Sequence, residues 1–137
     1  MTMKIEALAY VSESASPDPS VLSLATILAA SERNNSRDQL TGALLHSSGR
    51  YFQVIEGDAA DVGRLLQRLE NDPRHRQLTI LRHERSAARL FARWTMMTPR
   101  FDPGRRAQID EIISRCEIDP TAAVRKTLTL VEGKLGL

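Results

Sequence analysis

Residues 40–57 read LTGALLHSSGRYFQVIEG, and this stretch decides the fold. Two apolar runs flank Ser48 and Gly49, residue types that form tight turns, so the stretch predicts a β-hairpin. The second strand contains Gln53, an amide among aromatic and aliphatic neighbours. A buried amide without partners costs roughly 1–3 kcal/mol, so other parts of the chain must supply groups that bond it.

The composition is that of an ordinary globular domain. The chain has 137 residues, of which 42% are hydrophobic and 26% charged, enough for one domain with a substantial core. Its formal net charge is +2, from 19 basic and 17 acidic residues, which is too balanced to favour nucleic acid as a partner. Neither a signal peptide nor an apolar run of about 20 residues is visible, so we expect a cytoplasmic protein without a membrane partner. The single cysteine, Cys116, excludes a disulfide within the chain.

Hydrophobic periodicity predicts the order strand, helix, strand, strand, helix, strand, strand. The strands are predicted near residues 4–12, 39–47, 50–56, 77–84 and 93–98, and the helices near 20–33 and between Asp58, as its cap, and Asn71. Two strand–helix–strand units side by side form a ferredoxin-like α+β fold, βαββαββ, with a mixed five-stranded sheet and both helices on one face. We expect this domain over 1–98, and a linker with a helical extension over 99–137.

Two amphipathic stripes follow the sheet-forming region. They consist of Ile109, Ile112, Ile113 and Cys116, and of Val124, Leu128, Val131 and Leu135. Their spacing predicts two short helices, each with one apolar face. The sheet face opposite the first two helices carries Phe52 and Val54, and the C-terminal helices are predicted to cover it. Another subunit or an output protein is the alternative occupant of these apolar faces.

Three polar side chains are predicted to face one groove on the helix side of the sheet: Tyr10, Asn35 and Gln53. They form an array of donors and acceptors that suits a flat heterocycle with carbonyl and N–H edges. Ile27 and Leu69, one from each helix, are placed to clamp such a ring. Taken singly, each polar residue also has an ordinary structural explanation, so the pattern alone leaves the ligand site open.

The chain resembles BLUF domains, the family of blue-light sensors that use FAD. The resemblance covers about residues 4–97 and includes five segments in the family's order: AYVS at 9–12, NN at 34–35 with LTGALL at 40–45, YFQVIEG at 51–57, DPRHR at 72–76 and RLFARWTM at 89–96. Each segment is weak evidence alone, but five in register form a specific pattern. The resemblance implies the same ferredoxin-like fold, with FAD between the two helices.

The resemblance also implies a photochemical switch. Tyr10 matches the photoactive tyrosine and Gln53 the switching glutamine, while Trp94 and Met96 match the pair that neighbours this glutamine on the last strand. Light would drive electron and proton transfer from Tyr10 to the flavin through Gln53, and the hydrogen-bond network would rearrange reversibly. The implied cofactor-binding residues are Tyr10, Ile27, Ser31, Asn34, Asn35, Gln53, Arg68, Leu69, Asp72, Arg74 and His75.

Other functions are less well supported by the residues. An enzyme is disfavoured because no nucleophile–base pair is visible, and His46, His75 and His83 lack metal-ligand spacing, so no metal is expected. The main alternative is a ferredoxin-like interaction module without flavin. The chain is similar to short family members that assemble as homo-oligomers and act through a separate effector protein, so we expect both kinds of partner.

Overall fold

The structure is a computed structural model that describes residues 4–14, 21–73 and 75–134. The strands are β1 (Ile5–Ser14), β2 (Thr41–Ser47), β3 (Arg50–Gly57), β4 (His75–Ser86) and β5 (Trp94–Met97). The helices are α1 (Val21–Arg37), α2 (Ala59–Glu70), α3 (Arg106–Arg115) and α4 (Pro120–Lys134), with a 3₁₀ turn at Pro103–Arg105. The predicted start of the first helix, Arg74, the side chain of His75 and Leu135 lie outside the described residues.

The five strands form one mixed sheet in the order β4-β1-β3-β2-β5. All neighbours pair antiparallel except β2 and β5, which are parallel. This arrangement confirms the predicted ferredoxin-like α+β fold, with β5 added beside β2. The register places Gln53 opposite both Tyr10 and Leu44, and Leu44 opposite Met96, so these four residues form one row across the sheet.

The β2–β3 hairpin depends on backbone conformations that its turn and glycine residues permit. Ser48 and Gly49 have φ of 52° and 77°, the two positive values that a two-residue type I′ turn requires. Gly42 has a φ of 142°, and a Cβ there would lie 1.9 Å from the backbone oxygen of Val54. Glycine is therefore the residue that lets β2 approach β3 this closely.

The C-terminal helices cover one face of the sheet, as predicted. Ile109, Ile112 and Ile113 of α3 pack in the same buried cluster as Phe52 and Val54 of β3, together with residues of α4. Burial of this apolar surface provides the main stabilisation of that face. Polar contacts at its border join α3 and the residues just after it to the hairpin: Ser47 to Asp110, and Arg50 to Glu117.

Helices α1 and α2 pack on the opposite face in two separate clusters. The α2 cluster includes Val62 and Leu65 with Leu8 and Ile55 of the central strands. The α1 cluster includes Leu24 and Ile27 with Leu44, Tyr51 and Met96, on the β2–β5 side of the sheet. The division leaves a groove between the two helices, and its floor is the row that contains Tyr10 and Gln53.

The predicted end of the first helix was wrong. Helix α1 continues to Arg37, so Asn35 lies in its last turn instead of closing it. The backbone N–H of Leu40 donates to the Asn35 oxygen over 2.8 Å, and Gln39 has a φ of 55°. A left-handed residue after the helix thus satisfies its last carbonyls, and this stop outweighs the low helix propensity of asparagine and serine.

Two smaller expectations near α2 also need correction. Asp58 does occupy the N-cap position, but its side chain makes no capping hydrogen bond. Strand β4 begins at His75, two residues earlier than predicted, and continues to Ser86. It is longer than its hydrophobic pattern suggests because it is paired along most of its length with β1, whose own run extends to Ser14.

Candidate functional site

Gln53 makes two side-chain hydrogen bonds, one at each end of its amide. Its Nε2 donates to the Tyr10 hydroxyl over 2.7 Å, and its Oε1 accepts from Trp94 Nε1 over 3.2 Å. Both partners follow from the sheet: Tyr10 is the cross-strand neighbour on β1, and Trp94 is the first residue of β5. Gln53 is 4% exposed, so the amide bridges these two groups inside the protein.

Tyr10 is fully buried beside this amide. Burial raises the pKa of Tyr10 far above the usual value for tyrosine, although the hydrogen bond from Gln53 opposes this effect. The raised pKa keeps the phenol protonated at any physiological pH. The group beside the Gln53 amide is therefore a neutral phenol, whose oxygen accepts from Gln53 Nε2.

The groove between α1 and α2 brings together most of the residues that the sequence singled out for the cofactor. Its walls are aliphatic side chains of both helices, including Ile27 and Leu69. Nine of the eleven predicted residues line it, and the other two, Arg74 and His75, have no described side chain. The nine are Tyr10, Ile27, Ser31, Asn34, Asn35, Gln53, Arg68, Leu69 and Asp72.

The polar atoms of this groove fit a flat ring with hydrogen-bonding edges. Asn35, a residue 3% exposed, lines this groove. Arg68 Nη2 is buried and has no acceptor within the part of the chain that the structure describes. Buried donors are normally paired, so Arg68 Nη2 indicates a ligand that supplies the missing acceptor. A flavin ring offers carbonyl and ring-nitrogen acceptors together with apolar faces for Ile27 and Leu69.

Sequence reasoning missed Asp38, which binds Arg68, one of the residues that line the groove. Its carboxylate accepts from Arg68 Nη1 of α2 over 3.3 Å and from Arg37 Nε over 2.9 Å. The hydrogen bond from Arg37, and to a smaller extent the nearby Arg68 charge, lower the pKa of Asp38 below its usual range. No short motif marks this contact, because its partners are 30 residues apart and meet only in the fold.

A second missed residue is Glu56, which is 1% exposed. Its carboxylate accepts from the backbone N–H groups of Leu90 and Phe91 at 2.9–3.0 Å, and Arg89 Nη1 donates to its backbone oxygen over 2.9 Å. These bonds fix the segment that leads directly into Trp94. An acidic residue in an otherwise buried strand is the sequence signal that could have revealed this role.

Trp94 and Met96, which were predicted to share one face of the last strand, both lie on the helix side of β5. Met96 is 3% exposed and belongs to the α1 cluster, whereas Trp94 is half-buried and contacts the clusters of both helices. Trp94 therefore contacts the packing on both sides of the groove as well as Gln53. After β5, the backbone N–H groups of Phe101 and Asp102 donate to the Thr98 oxygen, which ties the strand end to the turn before α3.

Across residues 4–14, 21–73 and 75–134, no three His, Cys, Asp or Glu side chains are grouped so that they could hold a metal ion. In the same residues, no helix has both the length and the apolar character that a membrane crossing needs.

Comparison with known proteins identifies the family. The model of the BLUF family, described as sensors of blue-light using FAD, matches residues 5–97. Photoactivated adenylate cyclase subunit beta of Euglena gracilis is 33% identical over 90 residues, which are 65% of this chain and 10% of that protein. The chain thus spans about a tenth of the length of the curated relatives that it matches.

Solved structures agree on the fold. BlrB, a BLUF protein in its dark state, superposes with a TM-score of 0.79 at 24% identity, over 96% of this chain and 99% of that one. Klebsiella pneumoniae BlrP1 with FMN and cyclic diGMP superposes with a TM-score of 0.65 at 24% identity, over 85% of this chain and 35% of that one. At these identities, the likeness shows the fold alone. The family description names FAD, whereas the BlrP1 structure contains FMN. What the two have in common is a flavin.

Proposed function

Because this chain belongs to the BLUF family of blue-light sensors, and because Gln53 joins Tyr10 to Trp94 under the groove, we propose that it binds FAD and signals through these residues. The family match agrees with a sensor and not with an enzyme. The bridging amide is the observation that supports the mechanism most directly. The FAD preference, the residue roles and the output are parts of this proposal.

Different residues of the groove would contact different parts of the cofactor. Asn35 and Gln53 would meet the polar edge of the ring, and Ile27 and Leu69 its two faces, since all four line one groove. Arg68 would supply a charged donor. Ser31, Asn34 and Asp72 also line the groove. Arg74 and His75, which follow α2 in the chain, would bind a phosphate of the cofactor tail. When bound, the flavin supplies absorption of blue light and, in its excited state, a strong electron acceptor.

Tyr10 is the electron and proton donor in this proposal. It is buried, it is protonated, and its oxygen is already hydrogen-bonded to Gln53. Release of one electron and the hydroxyl proton would let the amide leave its initial orientation. When both return to Tyr10, the covalent composition of the chain is unchanged and only the hydrogen-bond pattern differs. The change should therefore reverse in the dark.

The Gln53 amide is the group that rotates or tautomerises, and Trp94 responds through its hydrogen bond to this amide. The indole N–H only donates, and it needs the amide oxygen that Gln53 now presents. An amide turned end over end would place its N–H₂ against the indole N–H, two donors without an acceptor. A tautomerised amide would carry a hydroxyl group at Oε1, in place of the carbonyl oxygen that accepts from the indole N–H. Either form of the switch weakens the bond to Trp94 and so alters the packing of β5.

The output would run from β5 into the C-terminal extension. We propose that residues 1–98 are the sensor and 99–137 a linker with helices that relay its state to a separate effector in the cytoplasm. Support comes from the continuous path from Trp94 and Met96 through Thr98 to α3, and from the packing of α3 and α4 on the same sheet. The oligomeric state belongs to this proposal: the exposed sides of α3 and α4 are available to a second copy.

The test begins with the purified full chain. We expect flavin absorption, release of FAD rather than FMN when the protein is denatured and the supernatant chromatographed, and a reversible red shift under blue light. A colourless protein that takes up no added flavin would contradict the proposed function and favour the interaction module.

The matched variants are Tyr10→Phe and Tyr51→Phe. Both remove one hydroxyl from a buried tyrosine on the same sheet face, and Tyr10 is the one whose hydroxyl accepts from Gln53 Nε2. We expect Tyr10→Phe to bind flavin and lose the red shift, and Tyr51→Phe to keep it. A full red shift in Tyr10→Phe would contradict the assigned donor.

A further inference from the structure

Asp38 connects the two helices that border the groove. It follows the last residue of α1, and its side chain is only 7% exposed. One oxygen accepts from Arg68 of α2, while the exposed guanidinium of Arg37 donates to both oxygens. The carboxylate is thus held by Arg37 on its outer side and holds Arg68 on its inner side.

The Arg68 guanidinium makes a hydrogen bond to Asp38 through one of its two terminal nitrogens. Its Nη1 donates to Asp38 over 3.3 Å, whereas its Nη2 is buried and, among the described residues, has no acceptor. Arg68 lines the same groove as Asn35, Gln53 and Leu69. A buried cationic donor without an acceptor is costly, so its orientation needs both a cause within the protein and a partner within the groove.

We propose that Asp38 is a positioning residue for the cofactor, which fixes the Arg68 guanidinium so that Nη2 donates to a carbonyl oxygen of the bound flavin ring. This inference rests on the proposed flavin function. The planar fork of arginine allows one nitrogen to bind Asp38 while another faces the groove. A ring oxygen is the expected acceptor because Nη2 is buried beside aliphatic walls, where a ring is better accommodated than a hydrated phosphate.

The experiment measures the affinity of the full chain, stripped of flavin, for FAD by quenching of flavin fluorescence. We expect Asp38→Asn to weaken binding about tenfold, as loss of one charge-assisted contact would. Arg68→Lys keeps the charge beside Asp38 but lacks a second nitrogen, and we expect a similar loss. Arg64→Gln is the control: Arg64 is an arginine of the same helix that is 55% exposed, pairs with Asp61 and does not line the groove, so the affinity of this variant should stay within twofold.

A double-mutant cycle separates positioning from general damage. In an Arg68→Gln background, Asp38→Asn should weaken FAD binding no further, because its effect passes through Arg68. If Asp38→Asn weakened FAD binding by the same factor with Arg68 and with Gln at position 68, the inference would be overturned. Wild-type affinity in Asp38→Asn would overturn it as well. Should Asp38→Asn not fold, Asp38→Glu replaces it in both backgrounds: its longer side chain keeps the charge but displaces the carboxylate, and its effect on FAD binding should likewise require Arg68.

A second ligand locates the acceptor on the flavin. Riboflavin, which lacks phosphate, should lose the same factor as FAD in Arg68→Lys; a loss confined to FAD would place the acceptor on the tail and overturn the ring assignment. If the wild-type chain binds no flavin at all, the proposed function fails, whereas normal binding by Asp38→Asn sinks this inference alone.

Discussion

Trp94 donates to Gln53 over 3.2 Å at the end of the amide opposite to Tyr10. The two neighbours make opposite demands on the amide, since Trp94 needs its oxygen and the Tyr10 hydroxyl accepts from its nitrogen. The orientation of one buried side chain is therefore linked to the packing of β5. This relationship joins the site that senses to the strand that precedes the C-terminal helices.

The indole N–H of Trp94 should report the state of Gln53 in solution. Trp94 is the single tryptophan of the chain, so its side-chain N–H gives one assignable resonance in a ¹H–¹⁵N spectrum. We expect this resonance to shift on illumination of the flavin-loaded protein and to return in the dark, because the hydrogen bond to Oε1 is lost and regained.

Two variants control this measurement. Trp94→Phe identifies the resonance by removing it, and Tyr10→Phe should retain it but show no light-induced change. A resonance that moves equally in Tyr10→Phe would mean that it responds to something other than the amide.

The raised pKa of Tyr10 predicts how stability depends on pH. In the unfolded chain tyrosine ionises near pH 10, whereas folded Tyr10 remains protonated to much higher pH. The contribution of Tyr10 to the free energy of unfolding is therefore fully present below pH 10. As the pH rises above 10, the free energy of unfolding falls by about 1.4 kcal/mol per pH unit. Urea unfolding of wild type and Tyr10→Phe between pH 8 and 11 should show this extra loss in wild type only; equal slopes would argue against burial of the neutral phenol.

Glu56 should matter for stability because its carboxylate binds the segment before Trp94. Glu56→Leu leaves the N–H groups of Leu90 and Phe91 unpaired, and we expect a loss of about 2–4 kcal/mol in the free energy of unfolding. Glu56→Gln keeps one acceptor oxygen and should lose less. Glu111→Gln removes an exposed carboxylate paired with Lys126, and should leave the free energy of unfolding close to that of wild type. A loss as small as this in Glu56→Leu would refute the assigned role.

The two glycines at 42 and 63 provide an internal comparison of backbone requirements. Gly42→Ala should destabilise the fold by about 2 kcal/mol or more, because its φ is positive and the new Cβ would meet the Val54 oxygen. Gly63→Ala should stabilise it by about 0.5–1 kcal/mol, since α2 is helical there and the new Cβ meets nothing within 4 Å. Thermal unfolding of both variants measures the difference, and a Gly42→Ala protein as stable as wild type would contradict the close approach.

Much of the fold followed from local pattern. Strand alternation placed Tyr10 and Gln53 on one sheet face, and the turn at Ser48 and Gly49 set the hairpin register, because both depend on a period of two residues. The end of α1 was not predictable in this way: its stop depends on Gln39 in a left-handed conformation, not on the asparagines before it.

The site was only partly visible in the sequence for the same reason. Residues directly on strands or helix faces, such as Gln53 and Ile27, could be assigned to the groove from their spacing. The binding partners of Asp38 and Glu56 could not be assigned, because each contacts residues 30 or more positions away that come together only after the sheet and helices have packed.

The central claim is that Gln53 is the moving part of a flavin-based light switch. The most direct measurement is the light-minus-dark absorption spectrum of the purified, flavin-loaded protein, wild type against Gln53→Leu, which fills a similar volume but has no amide. We predict a reversible red shift in wild type and none in Gln53→Leu, with flavin bound to both. A red shift of normal size in Gln53→Leu would contradict the account.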